Sequence, residues 1–176
     1  MNMQNALEVL KYGMSTEIWG LRFYNEALAR TTDSTGQEVF KSLVGDEEKH
    51  LEILRDEYAA LAGKTQTCIS REEAVQLADS VDPTSIFPAA TTAGQLIPAD
   101  AGDLTALAMA MDFEKRGYEF YQREAAMAES PEAKRIWSYL AMAENKHYTF
   151  IQKTHEYLAT NGTWFFDEHE KPLFEG

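Results

Sequence analysis

The sequence carries the pattern Glu-x-Lys-His twice, as Glu47–Glu48–Lys49–His50 and Glu144–Asn145–Lys146–His147. Each copy follows, 30 residues later, a glutamate that opens the pattern ExxGxxFY: Glu17 with Gly20, Phe23 and Tyr24, and Glu114 with Gly117, Phe120 and Tyr121. Residues three apart on a helix share a face, so each Glu/His pair projects side by side. Carboxylate oxygens and imidazole nitrogens are metal donors. Four Glu and two His suit two divalent cations, each taking one imidazole nitrogen, one terminal carboxylate and a share of two bridging carboxylates. The oxygen-rich set favours Fe(II) or Mn(II) over structural zinc, which prefers a closed tetrahedron of Cys and His. A lone ExxH is common in charged helices, whereas two copies with matched upstream glutamates are specific.

The duplication is wider than the donors. At an offset of 97, residues 10–54 match residues 107–151 at eleven positions, including Leu10/Leu107, Met14/Met111 and Leu43/Leu140. Chance pairing would give roughly three, from average residue usage. Such a repeat implies two copies of one structural unit.

The elements that must position these groups follow from helical periodicity. Four stretches, roughly 2–31, 37–62, 102–129 and 131–160, have apolar residues at spacings of three and four and few breakers. Short polar turns, TTDSTG at 31–36 and ESPE at 129–132, divide them into two hairpins. Each apolar seam is interrupted near its middle: by Glu17 between Met14 and Leu21, Glu47 and His50 between Leu43 and Leu54, Glu114 between Met111 and Tyr118, and Glu144 and His147 between Leu140 and Ile151. Carboxylates stand where leucines should, and an ionised carboxylate removed from water without a partner costs several kcal/mol. The midpoints between Glu17 and Glu47/His50, and between Glu114 and Glu144/His147, both fall in the turns, so all six side chains can reach one level of a bundle.

The expected architecture is all-α: a four-helix bundle over 1–162, made of hairpins 2–62 and 102–160 joined by a long crossover, 63–101. The crossover holds Pro83, Pro88 and Pro98 and a short helix at 70–81, and is expected to pack along the outside of the bundle. An irregular aromatic tail, 163–176, is expected to dock on the bundle or on a partner.

Composition sets the outer limits. The 176 residues include 29 Asp or Glu and 16 Lys or Arg, a net charge of -13, without basic clustering. Such a chain repels phosphate backbones, so nucleic acid is not an expected partner. The single cysteine, Cys68, excludes an intrachain disulfide or a four-cysteine knuckle. No apolar run reaches the ~20 residues needed to span a bilayer, and the first residues lack the apolar stretch of a signal peptide, so no membrane association and a cytoplasmic location are expected.

The donor pattern and its placement resemble those of the ferritin-like superfamily, in its rubrerythrin-like branch. The resemblance covers both hairpins and the crossover. It implies a ferritin-like bundle with a left-handed crossover and a carboxylate-bridged dimetal site. Glu17 and Glu114 would be terminal ligands, Glu47 and Glu144 bridging ligands, and His50 and His147 the nitrogen ligands. Tyr24 matches a tyrosine found near the metals of rubrerythrins; Tyr24 and Tyr121 are the candidate catalytic residues beside the metals, with plain core packing as the alternative reading. Two departures stand out. Rubrerythrins commonly carry a further carboxylate where this chain has Gly117, and they often append a cysteine-ligated rubredoxin module, which one cysteine excludes.

The implied cofactor is two Fe ions, with Mn as an alternative and Zn able to occupy the site in a purified sample. The leading functional expectation is a non-heme di-iron oxidoreductase reducing hydrogen peroxide or dioxygen, served by a separate electron-donor protein such as a rubredoxin. Alternatives are a ferroxidase or iron-handling protein with Fe(II) as substrate, and a non-catalytic metal-binding module. A homodimer is expected from the aromatic tail and long crossover.

Overall fold

In a computed structural model, residues 3–82 and 96–166 are described. They form five helices and no strand: α1 (Met3–Arg30), α2 (Ser34–Leu61), α3 (Arg71–Ala78), α4 (Asp103–Met127) and α5 (Pro131–Asn161). Pro83 and Pro88 of the crossover, and tail residues 167–176 with His169, lie outside the described residues.

Helix ends follow capping chemistry. α2 starts at Ser34, three residues before the periodicity alone places it, because the Asp33 carboxylate accepts from the backbone N–H groups of Thr35 and Gly36. Ser130 caps α5 through the N–H of Ala133, with Pro131 in the first turn, and Gly162 ends it in the left-handed conformation (φ 70°). α3 is shorter than the 70–81 expected from sequence and is capped by Ser70.

α1 packs on α2, and α4 on α5, as the two hairpins. The Thr31 hydroxyl donates to Asp103 at 3.3 Å, placing the start of α4 beside the end of α1, so those helices run antiparallel. The opposite end of the bundle holds a cavity of about 360 Å³ lined in part by Val9, Leu10, Leu61, Glu124, Ala133 and Trp137. α2 ends at that end and α4 begins at the other; the crossover therefore travels the length of the bundle. α3 lies against α1. Arg55 fixes the approach to α3 by donating to the Ile69 carbonyl at 2.8 and 2.6 Å. Glu26 accepts from the N–H groups of Leu96 and Ile97, and Arg30 donates to the Pro98 carbonyl at 2.8 Å.

After α5 the chain folds back, as the aromatic composition of the tail implies. Trp164 packs edge-on to Phe40 with ring centroids 5.8 Å apart and donates its indole N–H to Asp103 at 3.2 Å. A Cβ at Gly36 would lie 2.6 Å from the Trp164 ring, so this close approach requires glycine. The core contains most of the expected seam residues, among them Leu10, Met14, Leu21, Leu43, Leu54, Leu107, Leu140 and Ile151. Leu104, in the first turn of α4, is exposed.

Candidate dimetal centre

Glu17 comes from the middle of α1, Glu47 and His50 from α2, Glu114 from α4, and Glu144 and His147 from α5. All six are at most 1% exposed. Their donor atoms form two overlapping groups, Glu17–Glu47–His50–Glu144 and Glu47–Glu114–Glu144–His147, each with its atoms within 4.8 Å of one another. Glu47 and Glu144 belong to both groups. His50 Nδ1 lies 3.4 Å from Glu17, 3.3 Å from Glu47 and 3.4 Å from Glu144. His147 Nδ1 lies 3.7 Å from Glu47 and 3.4 Å from Glu114. The two imidazoles stack with centroids 5.4 Å apart.

Among the described residues, buried side-chain atoms without a hydrogen-bond partner concentrate here. They are one oxygen each of Glu17 and Glu114, both oxygens of Glu47 and Glu144, and Nδ1 of His50 and His147; the one other such atom is Glu124 Oε2. Native interiors rarely leave such atoms unpaired, and eight within one cluster fit a binding site for cations. The missing oxygens are accounted for by phenols. Tyr24 donates to Glu114 Oε1, and Tyr121 donates to Glu17 Oε1. Each tyrosine belongs to one hairpin and bonds the glutamate of the other.

Comparison with known proteins agrees with this geometry. A family model described as rubrerythrin matches residues 8–155. The chain belongs to the rubrerythrin family. Its helical fold is also similar to the solved structure of a hypothetical protein from Pyrococcus furiosus, with 21% identity, 91% of this chain and 92% of that one covered, and a TM-score of 0.65. No curated protein gave a match. The ferritin-like bundle expected from sequence is thus the fold of this rubrerythrin-family chain.

Electrostatics show what the buried donors cost one another. Burial, followed by the charge of Glu144 and Glu17, holds the Glu47 carboxyl well above its ordinary range; burial and Glu114 do the same for Glu144. Burial raises Glu114 to about 7, against the pull of the nearby Glu144 side chain and of the bond from Tyr24. At Glu17 burial also pushes upward, but contacts with Glu47, His50 and Tyr121 outweigh it and the carboxyl is lowered. His50 is desolvated, which disfavours its cation, yet the three surrounding carboxylates raise it well above its usual value. Protons therefore do part of the charge balancing in the metal-free rubrerythrin-family site, and a cation would displace them.

The mid-helix glycines have a spatial reason. A Cβ at Gly117 would lie 3.1 Å from Glu144 Oε2. At Gly20 it would lie 2.9 Å from the Phe113 ring and 3.3 Å from the Glu47 carboxyl carbon. Gly117 thus makes room for Glu144, and Gly20 for the Phe113 ring and then for Glu47.

One neighbour escapes the sequence pattern. Asp46, 6% exposed, stands with Oδ2 3.6 Å from His147 Nε2 and accepts at Oδ1 from Lys49 at 2.9 Å. Burial pushes its carboxyl upward, but contacts with His147 and Lys49 prevail and lower it. Lys49, itself partly exposed, tethers Asp46. The remaining residues with chemistry lie elsewhere: Cys68 is raised to about 11 by burial and then Asp56, and donates to the adjacent Ile69 carbonyl.

Proposed function

We propose that this protein is a non-heme dimetal oxidoreductase that holds two iron ions and reduces hydrogen peroxide or dioxygen. The observation carrying this reading is the distribution of partnerless donor atoms. Glu47 and Glu144 each leave two oxygens free, as bridging ligands need. Glu17 and Glu114 each leave one, as terminal ligands need, and the other oxygen is held by a tyrosine. His50 and His147 each contribute Nδ1.

A pair of Fe(II) ions held there supplies two electrons together, matching H2O2 + 2H⁺ + 2e⁻ → 2H2O. The chain's own contribution is placement and exclusion. Tyr24 and Tyr121 fix the rotation of Glu114 and Glu17 so that Oε2 of each turns inward. Tyr24 packs edge-on to Phe113 and Tyr121 stacks on Trp137, closing the centre against bulk water. Glu47 and Glu144, held partly as acids by burial, release protons when cations bind.

The second reading has Fe(II) as substrate, oxidised and passed on. It is favoured by one feature: Gly117 leaves a symmetric set of four Glu and two His without an extra carboxylate. Anaerobic loading with Fe(II), followed by mixing with each oxidant, separates the readings. Rapid oxidation by peroxide with slow oxidation by oxygen supports a peroxidase, and fast oxygen consumption with release of iron supports iron handling. No oxidation by either would sink both. Fewer than two ions per chain, or binding unchanged by Glu47→Ala with Glu144→Ala, would reject the centre itself.

A further inference from the structure

The cavity at the end of the bundle remote from Thr31 and Asp103 has no part in the dimetal chemistry. It measures about 360 Å³ and takes its wall from all four long helices: Leu10 of α1, Glu57 and Leu61 of α2, Glu124 of α4, and Ile136 and Trp137 of α5. None of the six clustered donors lines it. Leu10 and Trp137 each stand seven residues before the clustered glutamate of their own helix, roughly 10 Å at 1.5 Å per residue. A largely apolar void of this size with few polar groups has the dimensions of a small-molecule pocket.

Glu124 is the group in that wall that lacks a partner. Its side chain is 5% exposed; Oε1 accepts from Arg123 Nε at 3.1 Å, whereas Oε2 is buried with no hydrogen-bond partner. Arg123 is mostly exposed and lies over the Phe120 ring. The repeat does not require a carboxylate here, for 97 positions earlier the chain has Ala27, buried in the core. A buried carboxylate oxygen without a donor is costly, and a bound group is one way to satisfy it. Glu57, half-buried in the same wall, is raised by burial and then by the charge of Glu132, so the wall already carries excess negative charge. Among the described residues no Lys, Arg or His lines the cavity. An anion is therefore repelled, and a neutral hydrocarbon leaves Glu124 Oε2 unpaired. A metal ion needs several converging donors, and among the described residues such groups occur only in the dimetal centre. An ammonium group on an apolar body satisfies both the carboxylate and the walls.

We propose that this cavity binds a small amphipathic amine, its ammonium donating to Glu124 Oε2 and its hydrocarbon or aromatic body lying against Leu10, Leu61, Ile136 and Trp137. Trp137 is stacked on Tyr121 with centroids 5.7 Å apart, which gives that body a fixed wall. The site is separate from the dimetal centre and does not rest on the activity proposed above.

The test is calorimetry on the full chain, metal-free and again saturated with Mn(II), with 2-phenylethylamine as the probe. Its controls are 2-phenylethanol and phenylacetate, neutral and anionic molecules of similar size. At physiological salt one amine per chain should bind, about 10-fold or more tighter than the alcohol, as a charge-assisted hydrogen bond provides. Phenylacetate should not bind. Glu124→Gln keeps the shape of the side chain and should weaken the amine by about 10-fold or more while leaving the alcohol unchanged. Ala133→Phe, which places a ring in the cavity, should abolish binding of both. Equal binding of amine and alcohol, or no saturable binding of the amine, overturns the proposal. So does an amine affinity untouched by these substitutions, which would show attraction to the acidic surface only. If Glu124→Gln fails to fold, the three compounds on the natural chain and on Ala133→Phe decide the matter. Mn(II) should leave amine affinity unchanged; loss of amine binding on adding Mn(II) would place the amine among the central carboxylates and overturn the cavity assignment while leaving the dimetal centre standing.

Discussion

Glu114 illustrates how a single side chain links the site to stability. Its carboxyl is raised from 4.5 to about 7, chiefly by burial. A raised folded-state value means that stability is fully present below the unfolded value and is lost as pH rises through the folded one. The metal-free protein should therefore weaken between about pH 5 and 8, by about 3 kcal/mol from Glu114 alone. Glu47 and Glu144 act in the same direction and Glu17 in the opposite one. Urea unfolding across this pH range checks the slope; saturating Mn(II) should flatten it, because cations compete with the same protons. Tyr24→Phe and Tyr121→Phe should each remove one hydrogen bond to a carboxylate, about 1.5–3 kcal/mol, and weaken metal binding in a calorimetric titration. If the phenols only fill space, both changes will be close to neutral. The six clustered side chains could be picked out from sequence because they recur at fixed spacing. Asp46 could not: its counterpart is Ala143, so a search for what repeats passes over it.

At the scale of elements, the hairpins were legible because apolar spacing and turn chemistry agree along each stretch. The start of α2 was misplaced since Asp33 takes over the first turn before the apolar seam begins. Removing that cap with Asp33→Ala should cost about 1 kcal/mol in thermal or urea unfolding. The glycines make a sharper test, because helix propensity and packing pull in opposite directions. Alanine at position 117 would favour the helix by about 1 kcal/mol. Its Cβ would also press on Glu144 from 3.1 Å. Gly117→Ala should thus leave unfolding midpoints near those of the natural protein and still reduce metal affinity. Unchanged affinity would show that Glu144 can yield without loss. The crossover was harder to read, for its anchors are single polar contacts, such as Glu26 to the N–H groups of Leu96 and Ile97, that leave no periodic trace.

For the whole molecule, sequence and fold account for charge in two separate ways. Of the net -13, four carboxylates face one another in the core, and the remainder lies largely at the surface, where it favours cation approach. Among the described residues no helix is long and apolar enough to cross a membrane. Leu104, Met127, Met142, Tyr157 and Phe165 are large apolar side chains left exposed. We expect these surfaces to support a homodimer; sedimentation that shows only a 19.9 kDa species would exclude it.

The crossover has a further consequence. Two separate, identical hairpins could assemble the same four Glu and two His about a true two-fold axis, with each tyrosine reaching into its twin. In such a pair any change made on one side is made on both. Joining the hairpins through residues 63–101 removes that obligation and lets one half carry Asp46 while the other carries Ala143. Covalent linkage here supplies the freedom for the two halves of one arrangement to differ independently.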